Sequence, residues 1–438
     1  MSRLFGRAVP WDCSVDLYVS FLAKLTIVLF FLLHASVNAQ DRDVLTLARA
    51  VSLVSEDQPQ LAALASQEQA ALEASRAESQ LPDPKLAFGV ENLPATGEDA
   101  FRLGREDMTM VTVGVMQDVV PRAKREAASA QMTAEAARLS AERMLNARTI
   151  QREVALAWID AFEAQQRAAT LRKLISELAA EREVSAAQVS SGTSRPSEVL
   201  TLDMEISSTR DELILIERDE ARARAALARW IGEPALQPLP DELPHELSAE
   251  LDFPAAAQTI DTHPALQSSS HSIEAAHRAV DRARAERRPD WGWQLMYGQR
   301  PDDRSDMVSF QVTVGLPWNR ADRQDRRIAE KLAEASAMQS DLSDRRQVLE
   351  AELTSIRADL NASAERLDEH ATHRVPNARA RLETSQAAYA GGDGSLADVW
   401  RARRAWIEAS LHHEMILADR ARALAKLAWL TGNTEVLP

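Results

Sequence analysis

The chain repeats itself at a constant interval of 200 residues. The segment DEARARAALARWIG at 219–232 returns at 419–432 as DRARALAKLAWLTG, and the same register pairs Gly192 with Gly392. A duplication on this scale covers most of the chain and predicts two copies of one order of elements: helix, strand, strand, long helix, turn and helix. Any fold proposed for the chain therefore has to account for both copies.

Each copy contains two short segments in which apolar residues alternate with small or polar ones. In 308–316 every even position is large and apolar, and in 109–116 the odd positions Thr109, Val111, Val113 and Val115 share one face. Segments 86–90 and 291–297 alternate in the same way just upstream. A period of two is the signature of a β-strand. The sequence thus predicts one β-hairpin in each copy, at about 86–119 and 291–317.

Strands of about ten residues with one apolar face have the pattern of outer-membrane barrel strands. Four strands cannot close a barrel, and a bilayer tolerates no open sheet edge. If the hairpins lie in a membrane, several chains must therefore pool their strands. The alternative that the strands alone leave open is the edge of a soluble sandwich or a small hairpin cap.

Long helical patterns follow each hairpin, at about 123–189 in the first copy and about 321–390 in the second. A helix of 70 residues would reach roughly 105 Å at 1.5 Å per residue. Each long helix is followed by a shorter one, predicted at about 197–231 and 396–430. Pro376 predicts a kink, because proline removes a backbone hydrogen bond from a helix interior. Such lengths indicate a rod or a tube, so the fold class is mostly α with a small β part.

The N-terminus reads as an export signal. Lys24 precedes an apolar run from Leu25 to Leu33, and Val37 and Ala39 supply the small residues that a signal peptidase reads. We therefore predict a signal peptide at 1–39, a first repeat at 40–240, a linker at 241–250 and a second repeat at 251–438. The single cysteine would leave with the signal, which excludes disulfides from the mature chain.

The duplication, the order of elements and the tip segment YAGGDGSLADVWRA at 389–402 resemble the TolC family of outer-membrane efflux proteins. The resemblance implies a homotrimer in the bacterial outer membrane, in which four strands from each chain close a 12-stranded β-barrel. The helices would continue that barrel as a long periplasmic tunnel. It further implies that a periplasmic adaptor and an inner-membrane transporter are partners, and that the chain conducts passively without a cofactor.

The same resemblance implies roles for residues at the periplasmic tips. Tyr389 would belong to the bonding network that holds the tip closed, and Asp398 would form a ring of three carboxylates around the pore. Glu198 is the counterpart of Asp398 in the first copy. Where some relatives carry a second acid, this chain has Arg401, which predicts an Asp398–Arg401 pair or a ring of alternating charge.

Two more modest interpretations apply at the same tips. Asp398 and Glu198 follow turns directly, and acids at such positions commonly begin helices. Gly192 and Gly392 are turn glycines that permit positive φ.

Other function classes are disfavoured. A net charge of −15 argues against nucleic-acid binding, and no phosphate loop, nucleophile elbow or metal-protease motif occurs in the sequence. A metal site is not predicted either, because the pairs of histidines lack a third ligand nearby. These pairs are His370 with His373 and His412 with His413. The methionines Met108, Met110 and Met116 are interpreted as packing or lumen-lining residues of a strand.

The resemblance leans toward the branch that serves heavy-metal or cation pumps, while a drug efflux or type I protein secretion channel would have a similar sequence. The alternative from another class is a structural trimeric coiled-coil protein of the envelope.

Overall fold

The computed structural model describes residues 44–54, 58–192, 195–244, 259–301 and 304–432. The predicted signal peptide at 1–39 and the part of the predicted linker from 245 onward lie outside these described residues.

The described chain is mostly helical, with one small sheet. The helices are α1 (Leu47–Ser52), α2 (Pro59–Glu78), α3 (Arg122–Ser190), α4 (Pro196–Ile231), α5 (Pro264–Ala285), α6 (Gln324–Glu369), α7 (Val375–Ala390) and α8 (Leu396–Thr431). The strands are β1 (Lys85–Glu91), β2 (Met110–Val119), β3 (Trp291–Gln299) and β4 (Met307–Val314). Short 3₁₀ helices lie at Glu233–Leu236 and Ile260–Thr262.

The two hairpins join into a single antiparallel sheet in the order β1-β2-β3-β4. The register aligns Phe88, Val113, Tyr297 and Val308 in one row across all four strands. Because side chains alternate between faces, the apolar positions of every strand lie on the same face. That face is uncovered in the single chain: the side chain of Phe88, for example, is 76% exposed.

The opposite face carries small and polar residues together with methionines such as Met110 and Met296, and the strands approach closely there. A Cβ atom added to Gly114 would lie 2.6 Å from Met296 Cγ and 2.8 Å from the backbone oxygen of Leu295. Thr112, two residues earlier on the same face, is buried. Glycine at 114 is therefore required by space rather than by backbone conformation.

The helices form one layer that continues the sheet. Next to the sheet, the main contacts place the helices side by side in the order α2, α3, α5, α6. At the far end, α4 packs on α3, α3 packs on α8, and α8 packs on α6 and α7. The order beside the sheet repeats the strand order, so α2 borders the same side of the molecule as β1, and α6 borders the same side as β4.

The largest core lies midway along the helices, around Trp158 of α3. The Trp158 indole stacks on Phe162 with ring centroids 5.5 Å apart, and its Nε1 donates a hydrogen bond to the Leu45 oxygen at 2.8 Å. Leu45, Leu227 and several residues of α8 complete this buried cluster. The bond from Trp158 fixes the segment that precedes α1 against the long helix.

The second long helical segment changes its hydrogen bonding where the sequence predicts a kink. A π turn at His370–Arg374 separates α6 from α7, and Pro376 lies at the start of α7. Proline cannot donate a backbone hydrogen bond and its ring collides with the carbonyl four residues earlier. The wider π turn is the local rearrangement that accommodates both effects within a continuing helix.

A buried histidine predicts acid sensitivity of this core. His263 is 2% exposed, its Nδ1 caps α5 by accepting from the Ala265 N–H, and its ring packs edge-on against Trp429. Burial, and then the nearby charge of Arg148, lower the pKa of His263 from 6.5 to about 4. The neutral imidazole thus contributes stability that is present above pH 6.5 and is lost as the pH falls toward 4.

We expect the parent to lose about 3 kcal/mol of stability from this group between pH 6.5 and 4. His263→Asn keeps a side chain that can cap the helix but does not titrate in this range. The thermal unfolding midpoint, measured at pH 7 and at pH 4.5, should fall further for the parent than for this variant. Equal falls would show that His263 does not govern the acid response.

Candidate functional site

The two helical tips at the end far from the sheet have equivalent geometry. One tip connects α3 to α4 and the other connects α7 to α8. Gly192 has a φ of +77° and Gly392 a φ of +83°, and a Cβ added at either would meet open space. The requirement for glycine at these turns is therefore conformational, since L-residues with side chains rarely adopt positive φ.

The turn that ends α7 satisfies the free carbonyls of the helix. The Gly392 N–H donates to the Tyr389 oxygen at 3.1 Å, and the amides of Asp393 and Gly394 both donate to the Ala388 oxygen. These bonds replace the missing helical partners at a C-terminus. The side chain of Tyr389 itself is 37% exposed, on the last turn of α7.

Asp398 lies in the first turn of α8, where it is held by the capping residue Ser395. The Ser395 hydroxyl accepts from the Asp398 N–H at 3.2 Å and donates to Asp398 Oδ2 at 2.6 Å. The first bond caps the helix by satisfying a free backbone N–H, and the acid lies near the positive end of the helix dipole. Asp398 therefore performs the helix-start role that its position in the sequence suggests.

The second carboxylate oxygen of Asp398 forms an ion pair with Arg401, one turn along α8. The hydrogen bond from Ser395, followed by the positive charges of Arg401 and Arg381, lowers the pKa of Asp398 below its ordinary value. Asp398 consequently stays ionised at neutral pH. Glu198 occupies the corresponding first turn of α4.

Ion pairs between helices, which the sequence did not reveal, connect the two tips. Arg403 of α8 donates to Glu181 of α3 at 2.7 Å, and both side chains are mostly buried. Arg404 of α8 donates to Glu205 of α4, also at 2.7 Å. Because the partners are about 200 residues apart in the chain, no local pattern signals them. These two pairs fasten the α7–α8 hairpin to the α3–α4 hairpin, and we call them the tip latch.

An apolar cluster lies beneath the tip latch. Its buried residues come from α3, α4 and α8, and include Leu178, Leu202 and Trp400. The Arg403 guanidinium lies 5.1 Å from the centroid of the Trp400 ring, within cation–π range. Arg403 is thus held both by a carboxylate and by an aromatic face.

The structure pairs histidines differently from their order in the sequence. His370, in the π turn, stacks on His413 of α8 with ring centroids 6.5 Å apart. Burial and the charge of Arg374 lower the pKa of His370. Within the described ranges, no group of three or more His, Cys, Asp or Glu residues has the geometry to hold a metal ion.

Across the helices that the structure describes, no segment is both long enough and apolar enough to span a bilayer.

Comparison with known proteins gives a family match over part of the chain and a shared fold over most of it. Residues 256–433 match the family described as outer membrane efflux protein. No curated protein sequence matches the chain.

Several solved structures share the fold over most of its length. A membrane protein from Pseudomonas aeruginosa aligns with a TM-score of 0.75 and 14% identity, over 88% of this chain and 92% of that one. The outer-membrane protein VceC of Vibrio cholerae aligns with a TM-score of 0.70 and 17% identity, over 88% and 96%. The outer-membrane channel CmeC of Campylobacter jejuni aligns with a TM-score of 0.73 and 12% identity, over 88% and 85%.

The matched family is described as an efflux protein of the outer membrane, and CmeC is described as an outer-membrane channel. The family match lies within the second half of the chain, and the solved structures show that the chain shares their fold.

Proposed function

We propose that the chain is one third of a trimeric outer-membrane duct, through which a tripartite efflux pump exports its substrate passively. Four strands from each of three chains close a 12-stranded barrel, and the helices continue it as a periplasmic tunnel. A periplasmic adaptor and an inner-membrane transporter deliver the substrate to the tips, where the tunnel is gated.

One observation carries this proposal: the free edges of the sheet and of the helical layer coincide. β1 and β4 lack a second strand partner in the described chain, and α2 and α6 border the layer on the same two sides. Backbone groups at a sheet edge need partners, above all in a bilayer. Neighbouring copies, related by rotation, would supply a partner to the strands and to the helices at once.

The two faces of the sheet support the same arrangement. The uncovered apolar face suits contact with lipid, and the face with small and polar residues suits the inside of a barrel. On this interpretation, exposed residues such as Phe310 and Val312 face acyl chains rather than water.

We place the gate at the helical tips. Three copies of Asp398 near the axis would repel one another, and the neighbouring Arg401 offsets that repulsion in each chain. The tip latch would hold the closed arrangement, and docking of the adaptor would release it.

Single-channel conductance of the purified protein in a planar bilayer tests this function. A trimer that inserts and conducts is expected. A rod that neither inserts nor conducts would favour a structural coiled-coil protein of the envelope.

Asp398→Ala should raise the open probability of the channel severalfold and weaken its dependence on added cations. The variant loses the ion pair with Arg401 and the hydrogen bond that the Asp398 carboxylate accepts from the Ser395 hydroxyl, while the backbone cap of α8 is retained. Glu198→Ala, in the equivalent turn of the first copy, is the matched comparison. Unchanged closure and cation sensitivity in Asp398→Ala would remove Asp398 from the gate.

For the substrate, export of heavy-metal cations stays our prediction. A bacterial strain that lacks the chain should become sensitive to such cations. A strain that becomes sensitive only to organic drugs, or that stops secreting a protein, would assign the duct to another kind of pump.

A further inference from the structure

An open cavity of about 840 Å³ lies where the sheet meets the helices. It is bounded by the ends of α2, α3, α5 and α6 that are nearest the sheet, and by the segment that follows β4. Six of its lining residues are basic and three are acidic. The chain as a whole has a net charge of −15, so this cavity departs from the general charge of the molecule.

Exposed aromatic and apolar residues close to the cavity indicate its position relative to a membrane surface. Trp318 is 93% exposed, and Trp291, at the helix-proximal end of β3, is 43% exposed. Leu316, which lines the cavity, continues the apolar alternation of β4 past the end of the strand. Tryptophans flank the apolar band of outer-membrane sheets at the level of the lipid headgroups. In the proposed membrane insertion, the cavity therefore lies at the depth of the headgroups on the periplasmic side.

Some of the cations in the cavity are already engaged. Lys124 pairs with Asp290 at 2.8 Å, and Arg125 donates to the backbone oxygens of Ser79 and Val120. Arg327 pairs with Glu286 at 3.2 Å. These contacts join α3, α5 and α6 near the end of the sheet that adjoins the helices. Each of these three cations is thereby held by the protein, which leaves little of its hydrogen-bonding capacity for a ligand.

Two guanidinium groups remain available. Neither Arg288, after α5, nor Arg323, before α6, forms an ion pair with any residue that the structure describes. The Oε1 atom of Gln324, next to Arg323, is buried without a hydrogen-bond partner in the described part of the chain. Two guanidinium groups beside a free hydrogen-bond acceptor suit a ligand that has both an anionic group and a hydroxyl or ammonium donor.

We propose that the cavity binds a phosphate-bearing anion between Arg288 and Arg323. Guanidinium groups pair with phosphate oxygens through two parallel hydrogen bonds, and basic pockets at the membrane interface bind anionic headgroups. The depth of the cavity favours the phosphodiester of a phospholipid, whose headgroup hydroxyl would donate to Gln324. This inference rests on the proposed insertion in the outer membrane.

The test measures binding to the assembled protein in detergent, with short-chain probes. The probes are dihexanoyl phosphatidylglycerol, dihexanoyl phosphatidylcholine and inorganic phosphate, and the readouts are titrated thermal stabilisation and lipid retention in native mass spectrometry. Phosphatidylglycerol should stabilise the parent most. The double variant Arg288→Gln/Arg323→Gln should bind it about tenfold or more weakly, because two charge-assisted contacts are lost.

A second double variant, Arg320→Gln/Arg326→Gln, removes the same charge at the same end of the molecule but outside the cavity lining. It should bind phosphatidylglycerol as the parent does. Equal weakening in both double variants would reduce the effect to general electrostatic attraction and overturn the site. Stabilisation by inorganic phosphate alone would keep the anion site and exclude the lipid as its source.

Conductance separates this inference from the proposed function. The Arg288→Gln/Arg323→Gln variant should still conduct, since the cavity is not part of the gate. A parent that conducts without selective binding of phosphatidylglycerol or phosphate contradicts the anion site alone. A parent that does not conduct contradicts the duct itself.

Discussion

Phe310→Arg should abolish the assembled, membrane-inserted protein. Phe310 lies on the apolar face of β4 and is 67% exposed in the single chain. An arginine on the lipid face of a barrel costs about 2–4 kcal/mol near the bilayer midplane. A trimer carries the substitution three times, so the total is of order 10 kcal/mol, comparable to the whole stability of a domain. The amount of heat-modifiable oligomer in outer-membrane fractions measures the effect.

Ser309→Arg is the matched control. Ser309 is the preceding residue of the same strand, is also exposed, and points to the opposite face. In a water-filled lumen an arginine there should be tolerated, and the oligomer should form in nearly the parental amount. If both variants assembled equally well, or if only Ser309→Arg failed, the assignment of the two faces would be wrong.

Arg403→Glu should open the channel. The substitution replaces the ion pair between α8 and α3 with repulsion from Glu181, at a site where both side chains are mostly buried. Loss of a charged hydrogen bond of this kind costs about 2 kcal/mol in each chain. In the proposed gating, α8 moves away from α3 when the tip opens, so the cost falls on the closed state. Three chains together could change the ratio of open to closed channels by about four orders of magnitude.

The expected result is a large rise in open probability, measured in a planar bilayer beside the parent. The double variant Arg403→Glu/Glu181→Arg restores an ion pair with reversed polarity and should recover most of the closure. A double variant as open as the single one would show that the effect does not pass through this pair. If the open probability of Arg403→Glu equalled that of the parent, the Arg403–Glu181 pair would not stabilise the closed state.

The sequence predicts the elements of this fold well, because each depends on local periodicity. The alternation in 308–316 and 109–116 predicts strands whose apolar residues the structure places on one face. The long helical patterns predict α3 and the α6–α7 segment. Pro376 predicts an irregularity that the structure places just before it, in the π turn.

Contacts between residues that are distant in the sequence could not be predicted. The pairing of β2 with β3 joins the two copies, and neither strand carries a mark that identifies the other. The bond from Trp158 to Leu45 spans 113 residues, and the Arg403–Glu181 pair spans 222. Charged residues are frequent along the long helices, so the sequence does not identify which acidic residue pairs with a given arginine. The roles of Tyr389, Asp398, Glu198 and Arg401 in a gate stay predictions, because gating depends on the neighbouring copies.

Disulfide formation between the two edge strands tests the closure of the sheet most directly. Within one chain β1 and β4 are separated by about 14 Å, three strand spacings, whereas a disulfide requires Cα atoms within about 7 Å. In a background with Cys13→Ser, the variant Ala87→Cys on β1 would be combined in turn with Ser309→Cys, Gln311→Cys and Thr313→Cys on β4. All four positions lie on the small and polar face.

Oxidation of the membrane-inserted protein should yield covalent dimers and trimers, and no larger species, for the combination whose register matches. Such a ladder would establish that β1 of one chain lies beside β4 of the next in a closed ring of three. Monomers alone for every combination, or a ladder that continues beyond trimers, would contradict the 12-stranded duct.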